Sequence, residues 1–155
     1  MKGEFHKMDK EEKYYLEIKN KLIDNEVYKR VKDYSKNKHD LQTYYNVGKI
    51  LSEAQGGEER AKYGNRLIKK YSEKLYNDVG LKYSITSLKY MRQYYLFQKG
   101  QPVVAESISW SHYTILLSLN NINEINYYIN RCINDNLSKR KLAEIIKKRK
   151  SMIYL

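Results

Sequence analysis

Ser84-Ile85-Thr86-Ser87-Leu88-Lys89-Tyr90-Met91-Arg92-Gln93-Tyr94-Tyr95, followed beyond Gly100 and Pro102 by Ser107-Ile108-Ser109-Trp110-Ser111-His112-Tyr113, is the stretch from which the fold can be read. Each half opens on hydroxyl side chains, which accept hydrogen bonds from the unpaired amides of a first helical turn. The glycine and proline between the halves mark a turn. Two capped helices joined in this way predict a helix-turn-helix-like centre, a unit that often faces nucleic acid. Gln98 to Ser107 is the one place where a short β-wing is expected, if there is one.

Helical spacing continues on both sides. Asp9-Lys10-Glu11-Glu12 reads as a capping box with Tyr15, Ile18 and Leu22 on one face behind it. The first helix is therefore expected to start near residue 10 and to run toward Tyr34, with Asp24-Asn25 as a candidate break. Asp40 is the expected cap of a second helix through Leu41, Tyr44, Gly48 and Leu51, which stops at Gly56-Gly57. Glycine inside a helix costs about 1 kcal/mol relative to alanine, so Gly48 implies close crossing by another helix. A third helix, Glu58 to Asp78, turns Ala61, Gly64, Ile68, Tyr71 and Leu75 inward, and a fourth, Ile85 to Phe97, turns Ile85, Leu88, Met91 and Tyr95 inward. Arg92 lies about 50° from the centre of that stripe at 100° per residue, which places it between helices.

Trp110, Tyr113, Leu116 and Leu117 define a fifth helix closed by Asn120-Asn121. Ile122, Ile125, Ile129 and Ile133 define a sixth, with Cys132 beside the stripe as a small core residue. Ser138 caps a seventh with Leu142, Ile145, Ile146 and Ile153 inside. The expected fold is all-α, one domain of about seven helices: a helical arm over 1–39, the main helical domain over 40–150 and the start of a linker over 151–155.

Charge points to a class of partner. The formal net charge is +12; residues 1–40 carry eleven basic and nine acidic side chains, against nineteen and nine in 41–155. An excess of this kind favours polyanions. Codon bias in an AT-rich genome accounts for 23 lysines against 7 arginines and for 17 tyrosines, but it does not clear acids from one helix face. On the third helix Lys62, Arg66, Lys69, Lys70 and, at the edge, Lys74 lie opposite the apolar stripe, accompanied only by Glu73. The plain alternative is a solvated face. On the fourth helix Lys89 and Gln93 point outward as candidate ligand contacts. On the seventh, Arg140, Lys141, Lys147 and Lys148 point away from the core, and residues 138–150 hold seven bases against Glu144. Complementing the helix dipole accounts for Lys147 to Lys150 but not for Lys139, Arg140 and Lys141 at the other end.

Several chemistries find no support. No run approaches the roughly 20 apolar residues of a membrane span, and Met1 to Lys13 has no signal-peptide core, so a cytoplasmic place is expected. One cysteine forms no internal disulfide and no zinc site. His112 has no carboxylate or cysteine at triad or ligand spacing and reads as a structural or cap residue. Asp9, Glu17 and Lys19 spell a superficial D…ExK nuclease motif, but a helix would hold Asp9 and Glu17 about 12 Å apart along its axis, which does not converge them on a metal. Gly56-Gly57 lacks the lysine and threonine of a phosphate loop. No cofactor is expected.

Tyr45-Asn46-Val47-Gly48-Lys49-Ile50-Leu51, Ala61-Lys62-Tyr63-Gly64-Asn65-Arg66-Leu67-Ile68, Leu88 to Tyr95, Ser109 to Tyr113 and Leu137-Ser138-Lys139-Arg140-Lys141-Leu142 occur in that order. From about residue 41 to 150 the chain thereby resembles the helical N-terminal domain of the YhcG-type PD-(D/E)XK nuclease family, a domain of unknown function. His112 to Lys147 is also similar, more faintly, to the DNA-binding core of ParB-like partition proteins. The first resemblance implies a nuclease domain beyond Leu155, with metal-binding carboxylates that this chain does not carry. The expectation is a non-catalytic module that binds nucleic acid, DNA favoured, and presents it to that nuclease. A protein-interaction or self-association module, a homo-oligomer built on Tyr63, Tyr90 and Tyr94, is the alternative, since tyrosine is enriched in interface cores. A hydrolase using His112 is a distant third.

Overall fold

The computed structural model describes residues 2–30, 36–56, 64–101 and 108–153. In order these form α1 (Lys2–Arg30), α2 (Lys36–Ala54), α3 (Gly64–Val79), α4 (Ile85–Gln98), α5 (Trp110–Leu116), α6 (Ile122–Asp135) and α7 (Lys139–Ile153). The fold is all-α, with no strand among the described residues. Its contacts divide into two compact units, Met1–Gly100 and Gln101–Leu155. The serine-capped α4 belongs to the first and α5 to the second, and residues 102–107, where a wing was expected, lie outside the described residues.

In the first unit α2 is the central helix, packed against both α1 and α4. Burial on two sides explains why its apolar positions exceed one stripe: Leu41, Tyr44, Val47, Ile50 and Leu51 are all buried. The crossing with α4 is set by Gly48. A Cβ there would overlap the Met91 carbonyl oxygen, lie 2.6 Å from its carbon and stand 3.0 Å from the Tyr95 Cβ, so the two backbones touch where a side chain would stand. Tyr45 closes the flank edge-on against Tyr94 and Tyr95, with ring centroids 6.4 and 5.1 Å away. Arg92 ties α4 to the turn that follows α2, donating from Nη1 to Gln55 Oε1 at 2.6 Å, and its partial burial lowers its pKa.

Several expected helix edges move. α1 begins at Lys2, so Asp9 sits inside a helix and does not cap it. A capping box needs non-helical backbone before it, and Lys2 to Met8 are helical. Asp24-Asn25 does not break α1 either. Asn25 is fully buried, and its Oδ1 lies 2.8 Å from His39 Nδ1 and 3.4 Å from Thr43 Oγ1 of α2. An asparagine that reads as a breaker is here a polar contact between helices. α2 likewise starts at Lys36, ahead of Asp40, and closes where Gly56 takes φ +82. Gly57 to Tyr63 lie outside the described residues.

The inner face of α4 is Leu88, Met91, Tyr94 and Phe97. Ile85 is exposed and Tyr95 half-buried, because the helix is packed by α2 and α3 from two directions and the centre of burial rotates toward Tyr94. Ser84 caps α4 as expected, accepting from the Ser87 amide at 3.0 Å.

In the second unit the core comprises Tyr113, Leu116 and Leu117 of the α5 region, Ile125, Tyr128, Ile129 and Cys132 of α6, and Leu142 and Ile146 of α7. Ile122 and Ile133 are exposed at the two ends of α6, and Tyr128 and Cys132 take the inward positions instead. Asn121 begins α6 and does not close α5; its side chain accepts from the amides of Asn123 and Glu124 at 2.8 and 3.2 Å. Burial raises the Cys132 thiol pKa, as suits a core residue.

Alanine at Gly48 gains about 1 kcal/mol of helix propensity and loses the close approach. Overpacking costs typically 1–3 kcal/mol, so with that gain subtracted Gly48→Ala is expected to lower unfolding stability by up to about 2 kcal/mol in urea titration. A stabilised variant would mean that α2 and α4 sit further apart.

Candidate nucleic-acid interface

The cations singled out on α3 do not share one fate. Lys70 Nζ lies 3.0 Å from Glu11 and Lys74 Nζ 2.8 Å from Glu12, both carboxylates belonging to α1. Lys74 also stands 4.5 Å from the centre of the Tyr15 ring. These lysines help join α3 to α1, beside the Tyr15–Tyr71 stack with centroids 5.8 Å apart and the Tyr15 hydroxyl bonded to Asp78 at 2.5 Å. Burial first, then that hydrogen bond, pushes the Tyr15 pKa far up, so the hydroxyl stays a donor. Arg66 and Lys69 are exposed and have no carboxylate partner among the described residues, whereas Lys62 lies outside them. Lys89 is half-exposed and Gln93 exposed on α4.

On α7 the cations remain largely available. Ser138 starts the helix, its Oγ accepting from the Lys141 amide at 3.1 Å. Arg140 and Lys141 share one acid, Glu144, at 3.7 and 3.8 Å. Such exposed pairs are worth little and leave both cations able to rearrange. Lys147 and Lys148 are exposed, with no carboxylate partner among the described residues. The α3 and α4 candidates belong to one compact unit and the α7 candidates to the other.

A feature that no single helical face encodes lies between α6 and α7. An open groove of about 780 Å³ runs there, its walls including Asn123, Glu124, Tyr127, Lys148, Arg149 and Met152. The Arg149 guanidinium stands 5.8 Å from the Tyr127 ring centre and 5.9 Å from that of Tyr128, and donates to the Tyr128 hydroxyl at 3.4 Å. That bond, followed by electrostatic attraction, raises the Arg149 pKa. Tyr127 and Tyr128 meet edge to face with centroids 5.1 Å apart. The adjacent tyrosines were the available signal; an arginine 21 residues away in sequence was not part of it.

His112 is fully used as a structural residue. Its Nδ1 accepts from the Ser109 amide at 3.1 Å while Ser109 Oγ accepts from the His112 amide at 3.4 Å, which makes a capping box for α5. With Nδ1 an acceptor, Nε2 carries the proton and donates to the Leu137 carbonyl at 2.8 Å. One ring thus joins the start of α5 to the turn before α7. Met8 to Lys19, the source of the D…ExK spelling, is continuous helix, and no group of three metal-ligating side chains occurs among the described residues. Nor does any described helix have the length and apolarity to cross a membrane.

The sequence model of the DUF1016 N-terminal domain matches residues 17–152. The chain belongs to that family. The match confirms the resemblance carried by the Gly48, Arg66, Met91, His112 and Ser138 segments, and it begins within α1, upstream of the first of them. The DUF1016 N-terminal domain is an uncharacterised domain with no assigned chemistry. No curated protein and no solved structure matches the chain.

The structural role of the imidazole is testable. His112→Ala removes the acceptor of the Ser109 amide, one half of the capping box, a loss of about 0.5–1.5 kcal/mol that leaves Ser109 as the cap. It also strips the Leu137 carbonyl of a donor, a further 1–3 kcal/mol or so if that group stays shielded from water. The variant is expected to unfold at clearly lower urea concentration, and to keep whatever ligand binding the folded fraction has.

Proposed function

We propose that this domain is a non-catalytic nucleic-acid-binding module, with DNA the favoured ligand, and that in its family setting it delivers that ligand to a nuclease domain. The observation that carries the proposal is the exposed cationic surface of α7. Lys139, Arg140, Lys141, Lys147, Lys148 and Lys150 are exposed there around the single acid Glu144. Lysine and arginine arrayed along one helix neutralise successive phosphates and release counterions, which gives affinity without sequence preference. Arg66, Lys69, Lys89 and Gln93 are additional candidates on the other unit.

The ion pairs alter the expected weights. Lys70 and Lys74 are engaged with Glu11 and Glu12, so a phosphate must compete for them, whereas Lys147 and Lys148 face no such competitor among the described residues. The self-association alternative loses one of its supports: Tyr94 is 1% exposed and cannot present a ring to a partner. Tyr90 is half-buried and Tyr63 lies outside the described residues.

Titration of a fluorescent blunt DNA duplex at several salt concentrations tests the reading. Binding should weaken with a log–log slope of about −0.9 per phosphate contacted. Lys147→Gln together with Lys148→Gln should reduce that slope by roughly two, while Lys70→Gln with Lys74→Gln changes it less. Absence of binding at low salt, with a dimer seen by light scattering, would favour self-association.

A further inference from the structure

We propose that the groove between α6 and α7 is a subsite for an unpaired nucleotide, whose base stacks on Tyr127 and whose phosphate is held by Lys148 and Arg149. The inference rests on the nucleic-acid-binding reading and narrows its substrate to strands with exposed bases.

Tyr127 is 48% exposed while its neighbour Tyr128 is 1% exposed. The buried ring is a fixed wall, and the exposed one presents aromatic surface to the groove. Arg131 also lines the groove and pairs with Asp135, one turn along α6, at 3.3 Å. Arg149 is fixed differently, by the Tyr128 hydroxyl and the two ring faces, and the neighbouring Lys148 is exposed. A ring next to a planar guanidinium is an arrangement that holds a nucleobase by stacking and cation–π attraction. The groove, at about 780 Å³, falls in the size range of small-ligand sites.

A blunt duplex does not exploit this arrangement. Its bases are stacked on one another, and only its phosphates reach a helix surface, for which the outer lysines of α7 suffice. Single strands and overhangs offer a free base face to the exposed part of the Tyr127 ring. An acidic peptide would satisfy the cations but brings no planar group for the ring.

The test compares the full chain with Tyr127→Ala, Tyr127→Phe and Lys148→Gln. Each is titrated by fluorescence anisotropy with an oligothymidylate of about 15 nucleotides, within the range of single-strand site sizes, and with a blunt duplex of equal length. Tyr127→Ala is expected to weaken single-strand binding roughly 5- to 150-fold, the loss of one stacked base, and duplex binding less than about twofold. Tyr127→Phe should retain single-strand affinity, because the ring remains. Lys148→Gln should lower the salt slope for the single strand by about 0.7. Circular dichroism checks the fold of each variant, and Tyr127 is exposed enough that its loss should leave the helices intact.

Duplex binding that persists while Tyr127→Ala has no effect on the single strand would overturn the subsite and leave the broader function standing. Equal losses on both ligands would also overturn it, as would polyglutamate that displaces the single strand at matched charge and is itself weakened by Tyr127→Ala. If neither nucleic acid binds at low salt, the broader reading fails and the subsite with it.

Discussion

Contact between the backbones of α2 and α4 at Gly48 and Met91 is the constraint on which the first unit depends. Helices normally cross 8–10 Å apart, at a distance set by the side chains between them. With a hydrogen atom in place of a side chain, the Met91 carbonyl reaches the surface of α2, and Tyr45, Tyr94 and Tyr95 close around the crossing. The position of α4 then decides the rest. Tyr94 is carried into the core, Arg92 is drawn to Gln55, and Lys89 and Gln93 remain toward solvent. The short side chain therefore sets both the interior and the surface that α4 can offer.

Electrostatics in the two units serve different ends. In the first, α1 contributes Glu11 and Glu12 to Lys70 and Lys74 of α3, and Glu26 accepts from the hydroxyl of Tyr83, in the connection before α4, at 2.7 Å, so charge is used to hold the unit together. In the second, one carboxylate on α7 stands among seven bases, and the chain's most cationic helix carries little internal compensation. Self-repulsion of this kind lowers the stability of a small helical unit. A polyanion would relieve it, which is the physical content of the proposed function.

Much of the architecture was legible because it is local. Ser84 and Ser138 announce their helices by accepting amides three residues ahead, and Gly48 announces a close crossing through its cost in a helix. What misled was also local. Asp9 to Glu12 has the composition of a cap but lies within continuous helix, and Ile122 and Ile133 fit the period of the α6 stripe although the buried face runs through Tyr128 and Cys132 instead. The candidate interface depended on information that no single helix contains. Lys70 and Glu11 are 59 residues apart in sequence, and Arg149 and Tyr128 are 21 apart. A wheel drawn for one helix counts charges on its faces and cannot show which of them another helix answers.

Asn25, sealed between α1 and α2, has its Nδ2 buried without an acceptor while its Oδ1 is answered by His39 and Thr43. A leucine in its place would bind more tightly and in more ways. The amide makes the pairing particular: slide either helix by one turn and the carbonyl too faces hydrocarbon, so alternative alignments of two long, lysine-rich rods become costlier than the native one. A little adhesion is surrendered there for an unambiguous match between the two.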